Sequence, residues 1–175
     1  MSSAPELSSS LVTDSQCCRA RVLCLGNDLL ADDSFGIVLA DQIRSLATAG
    51  VEVVSSPETG FHLLDYVSNT RQLVVDDTVM TGKASPGTVL VFVESELQTV
   101  SGVSPHYVGL CEVLALARHL SLNVAKRISL VAVEAADCTT VGGVMHPAVR
   151  AAIRSVATIV RNLVSEPGES LSPEA

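Results

Sequence analysis

A cluster of Lys and Arg able to track phosphates is missing from this chain, and basic residues are few: eleven against nineteen acidic ones, for a formal charge of -8. Nucleic acid is therefore not an expected partner, because phosphate backbones attract proteins through concentrated positive charge. The first twenty residues have neither a basic start nor a continuous apolar stretch. No later segment reaches the roughly 18 apolar residues of a spanning helix, so neither secretion nor a membrane span is indicated and the expected location is the cytoplasm. The five cysteines (Cys17, Cys18, Cys24, Cys111 and Cys138) are odd in number and lack a CxxC spacing. That argues against a disulfide framework and a zinc knot alike. Internal repeats are absent too.

What is present is one domain's worth of core, with 175 residues of which 47% are hydrophobic. A domain of this size hides about two-thirds of its unfolded surface and needs no metal merely to fold. Residues 1–20 are Ser-rich and 165–175 are rich in Ser, Glu and Pro, compositions that do not offset their ordering entropy; both read as disordered tails around a single domain at 21–164.

Within the domain, β-branched runs alternate with stretches of helical period. Strands are expected at 21–25, 51–54 and 72–76, with helices at 35–46 and 60–67 between them. This βαβαβ order implies parallel strands joined by right-handed crossovers. Residues 78–86 are too few for another crossover helix, so a fourth strand at 88–93 is expected to run antiparallel to the third. A helix at 108–120, a strand at 127–133 and a final helix at 147–163 complete the chain. The fold class is α/β: a three-layer α/β/α sandwich with a mixed, mainly parallel five-stranded sheet and one antiparallel edge strand.

In open sheets of this kind the working crevice lies beyond the carboxyl ends of the parallel strands. Asn27, Asp28, Asp32 and Asp33 fall there after the first strand, Glu58 after the second, Asp76 and Asp77 at the end of the third, and Glu134 and Asp137 after the fifth. Any one of them reads simply as a turn former or helix cap. Asp32 and Asp33 are adjacent at a helix start where one cap suffices, leaving the other to point into the crevice as part of a cation site. Of Asp76 and Asp77, strand alternation lets only one face a given side, the other being expected in solvent or bonded in the loop. A dinucleotide loop is set aside, since Gly26 is followed by Asn27 and acids that would repel phosphate. His106 precedes the third long helix; the twelve residues at 94–105 span up to about 40 Å and can return it to the acidic edge. It reads equally as a helix-entry histidine with no role, and His62, His119 and His146 read as helix-surface or helix-start residues.

The run Gly26, Asn27, Leu29, Leu30, Asp32, Asp33 and Gly36 resembles the opening signature of hydrogenase maturation proteases. Ser104, Pro105 and His106 with Gly109 and Leu110 resemble their later histidine element. Between the two, Leu73 to Asp77 followed by Pro86, Gly87 and Thr88 is similar to their third strand and its hairpin. The resemblance runs in order across residues 22–163. It implies an endopeptidase that removes a C-terminal extension from the precursor of a nickel-iron hydrogenase large subunit after nickel insertion. By position it assigns metal binding and catalysis to Asp33, Asp77 and His106, the nickel being supplied by the substrate's own active site. Two departures stand out: Cys24 replaces a glycine, and residues 55–60 replace a glycine-rich loop that bears on substrate choice.

Two carboxylates and a neutral imidazole balance a 2+ ion and leave positions open for water or substrate. An ion so held can polarise the scissile carbonyl or acidify a bound water, or it can dock the substrate while an aspartate serves as general base. Two readings from other classes stand beside this one: a non-catalytic nickel-binding or chaperone module, and an enzyme with Cys111 or Cys138 as nucleophile paired to His106.

Overall fold

A computed structural model describes residues 18–45, 49–99 and 109–165. Five strands, β1 (Cys18–Leu25), β2 (Val51–Ser56), β3 (Thr70–Val79), β4 (Val89–Val93) and β5 (Arg127–Glu134), form one sheet in the order β2-β1-β3-β5-β4. β1, β2, β3 and β5 are parallel, and β4 is the antiparallel edge. Helices α1 (Phe35–Arg44) and α4 (Pro147–Ser165) cover one face, and α2 (Leu64–Val67) and α3 (Leu110–His119) the other, which is the expected three-layer sandwich.

Side-chain alternation splits the core cleanly. Val22, Cys24, Val74, Val131 and Val133 point toward α1 and α4, whereas Leu23, Leu73, Val75, Leu130 and Ala132 point toward α2 and α3. α4 buries Val149, Ala152, Ile153, Val156, Ala157, Val160 and Val164, a stripe of helical period, behind a Pro at its first position. β3 is buried at every position but Arg71, as a central strand covered on both faces must be.

The structure departs from the expected pattern in three places. β1 begins at Cys18, taking in three residues read as tail; residues 1–17 and 166–175 lie outside the described residues. The second helix is mostly a 3-10 turn, Gly60–Leu63, with one α-turn behind it. β4 runs against the direction of β3 but pairs with β5, which inserts between them. The short link over the sheet end makes this possible, because it already bonds to β5: Gly87 N–H donates to the Glu134 carbonyl at 2.7 Å, and Glu134 N–H to that of Thr88 at 2.9 Å. Gly87 is required there, since its φ is +85° and a Cβ would meet the Ala148 carbonyl oxygen at 2.4 Å. Among the described residues, no helix is long and apolar enough to cross a membrane.

Candidate active site

The crevice arises because neighbouring strands end at different heights. The β1–β3 ladder stops at Cys24 opposite Asp76, while β3 continues beside β5 as far as Val79 opposite Glu134. β1 leaves the sheet at Leu25, and the 3-10 turn Asp32–Ser34 folds back into the gap. Two glycines let it close. A Cβ on Gly26 would lie 2.3 Å from the Asp33 carbonyl oxygen, and one on Gly36 would lie 2.0 Å from that of Leu25, so neither position accepts a side chain. The glycines of the opening motif are thus packing requirements of this turn.

Asp33 is completely buried and its Oδ1 accepts a hydrogen bond from Thr78 Oγ1 at 3.0 Å. Asp77, also completely buried, accepts at Oδ1 from the Thr78 backbone N–H at 2.8 Å. One residue of β3 therefore donates to both aspartates named from the sequence. Thr78 Oγ1 in turn lies 3.5 Å from the sulfur of Cys138, whose S–H donates to it. Thr78 did not stand out in the sequence, and Cys138 was considered there only as a nucleophile; for Thr78, the adjacency of a hydroxyl residue to Asp77 on a buried strand was the available signal.

The neighbouring acids have other tasks. Asp32 does not cap α1, and neither does Asp33: the cap residue is Ser34, which makes no side-chain cap bond. Instead the buried Asp32 carboxylate accepts the backbone N–H groups of Ala136, Asp137 and His146, at 2.7, 2.9 and 2.6 Å. It fastens the loop after β1 to the loop after β5, and a bridge between Leu30 and Val141 continues the seam. Glu134 is buried and accepts from Thr81 N–H, Thr81 Oγ1 and Gly82 N–H, holding the β3–β4 link. Hydrogen bonds from Thr140 and Thr139 hold the Asp137 carboxyl well below the usual carboxylate range. Asn27 accepts from Leu29 N–H in its own turn, and Glu58 is half-exposed with His62 at 3.9 Å.

Asp76 corrects the expectation that the partner of Asp77 lies in solvent or the loop. It is completely buried on the α1/α4 face, and neither of its oxygens has a hydrogen-bond partner among the described residues. The reason is that β3 runs three residues past the expected end, so both aspartates sit inside the sheet. Burial, and then the charge of Asp77, push its carboxyl well above the usual range. Across the ladder, burial and then Asp76 push the Cys24 thiol up likewise. Burial is also the main cause that pushes the Cys138 thiol up to about 12. Such a thiol is a poor nucleophile near neutrality, which weakens the cysteine-enzyme reading at this position.

His106 lies outside the described residues. Among the described residues no three His, Cys, Asp or Glu side chains gather so as to hold a metal ion. A three-ligand set at this edge needs a residue from beyond them.

A family model described as hydrogenase maturation protease matches residues 39–163. The hydrogenase 2 maturation protease of Escherichia coli K12 is 29% identical over 119 residues, covering 66% of this chain and 72% of that protein. The hydrogenase expression/formation protein HupM of Azotobacter chroococcum is 30% identical over 157 residues, covering 87% and 74%. Among solved structures, the hydrogenase maturating endopeptidase HybD from E. coli superposes with a TM-score of 0.75 at 27% identity, covering 86% of this chain and 94% of that one. With the shared fold, the matching family model and the buried aspartates at the sheet's carboxyl edge, the chain belongs to the hydrogenase maturation protease family.

Proposed function

We propose that this protease removes a C-terminal extension from the precursor of a nickel-iron hydrogenase large subunit once nickel has been inserted, and that it does so in the cytoplasm. The observation that carries the reading is the convergence of Asp33 and Asp77 on Thr78: one lies on the 3-10 turn after β1 and the other on β3, yet both are buried at the carboxyl edge and both accept a bond from Thr78. Buried carboxylates are retained where they are paired, hydrogen-bonded or bind a cation. With His106 they supply two charges and an imidazole for the nickel that the precursor brings, leaving positions for water or the peptide carbonyl.

In this reading the metal is part of the substrate and gates the reaction: a precursor without nickel lacks the group that the aspartates recognise. Asp33 and Asp77 orient the loaded precursor through its metal. The attacking water is activated either at the metal or by one of the two carboxylates acting as general base.

The test mixes the protein with nickel-loaded and nickel-free precursor and follows the mass of the large subunit. Loss of a C-terminal peptide in the loaded sample alone is the expected result. Stable binding with unchanged mass in both samples would replace the endopeptidase by a nickel-binding chaperone.

A further inference from the structure

The gap left where β1 ends and β3 continues is filled by contacts that converge on Thr78. Its side chain is completely buried, and its strand is fixed by pairing to β5 opposite Val133. The hydroxyl has one proton to give. Because Cys138 S–H donates to that oxygen, the proton is directed to Asp33 Oδ1. The N–H of the same residue is directed to Asp77 Oδ1. Asp33 sits on a turn that has left the sheet, whereas Thr78 is part of the sheet; the hydroxyl is a hydrogen-bonded link from this turn's carboxylate to the rigid central strand.

We propose that Thr78 is a positioning residue of the site: its hydroxyl, oriented by Cys138, fixes the carboxylate of Asp33 relative to that of Asp77 so that the two together meet a divalent cation. The inference rests on the reading of Asp33 and Asp77 as metal-binding carboxylates. Groups that hold a ligand's second atom set its orientation and basicity, and their removal weakens metal binding by about 10–100-fold. Valine matches threonine in shape and keeps the backbone N–H on Asp77, so Thr78→Val removes the hydroxyl's bonds to Asp33 and Cys138 and leaves the one to Asp77.

The experiment titrates full-length protein with Ni2+ by calorimetry, using wild type, Thr78→Val, Thr78→Ser, Asp33→Asn and Asp77→Asn, each checked for folding by circular dichroism and thermal melting. Thr78→Val is expected to bind nickel about 10–100-fold more weakly while melting cooperatively. Thr78→Ser, which restores the hydroxyl, is expected to regain most of that loss, a recovery that a purely packing role would not give. If Thr78→Val does not fold, Thr78→Ala gives the same comparison without demanding space. Wild-type affinity in the folded Val or Ala variant, with binding lost in both aspartate variants, would overturn the positioning role and leave the site standing. Wild type that takes up no nickel would overturn this inference while leaving a metal presented by the precursor as the site's ligand; aspartate variants that bind nickel like wild type would remove the reading of the site and this inference with it.

Discussion

Replacing Asp76 by valine should make the protein more stable, and increasingly so as the pH rises. The carboxyl has no hydrogen-bond partner among the described residues and shares its face of the sheet with Val74, Val131 and Val133, so valine enters an apolar environment of its own kind. A buried polar group left unsatisfied costs about 1–3 kcal/mol, which the substitution recovers. For a domain of this size that corresponds to an upward shift of roughly 2–10 °C in melting temperature. The pH dependence follows from the raised carboxyl of the folded state. Above the unfolded aspartate's value of about 3.9, the unfolded chain releases this proton while the folded chain keeps it. The folded state then binds more protons, and wild-type stability falls as pH climbs from there toward the folded value. Valine carries no proton, so the gain should be smaller at pH 4 than at pH 7. Urea denaturation of both proteins at the two pH values measures it. A destabilised variant, or a gain equal at both pH values, would refute the description of Asp76 as an unsatisfied, protonated carboxyl.

Asp32→Ala takes an acceptor from three backbone N–H groups and should cost about 2–4 kcal/mol in urea denaturation, whereas wild-type stability would mean the two loops hold without it. Cys138, with its thiol pushed up to about 12, has only about one thiolate in ten thousand at pH 8. Iodoacetamide should therefore leave it unmodified in the folded protein and label it in urea, as peptide mass mapping would read; rapid labelling of folded protein contradicts the burial. Asp33→Ala, Asp77→Ala and His106→Ala should each abolish cleavage of nickel-loaded precursor while retaining a cooperative melt, and full cleavage by any of them removes that residue from the site.

The parts of the fold that were legible in the sequence are those set by period. β1, β3, β5 and α4 announce themselves because a strand covered on both faces needs unbroken apolar runs, and a helix on a sheet needs a stripe. The partner of β4 was not legible. Its five residues VLVFV fit either neighbour, and the choice fell to backbone bonds between the link at 87–88 and Glu134, which composition does not encode. The length of β3 was missed for a related reason: Asp76, Asp77 and Thr78 read as a strand's end because acids seldom enter a sheet's interior, and here all three are buried within it. What singled out Asp33 and Asp77 from their acidic neighbours was the motif order of the resemblance, and the position of His106 lies outside the described residues.

The acidic edge also shows why counting carboxylates misstates the charge that a cation would meet. Asp32, Asp33, Asp76 and Asp77 are all buried, and each is accommodated differently. Asp32 accepts from three backbone donors and fastens two loops together. Asp76 has none among the described residues, so burial favours its neutral form and it adds little to the field. Thr78 donates to one oxygen each of Asp33 and Asp77. In the reading proposed above, a cation would meet this pair in preference to Asp32, whose carboxylate is already committed to three backbone donors. The four aspartates thus separate into a clasp, a buried acid pushed toward its neutral form, and the pair that the proposed function gives to the metal.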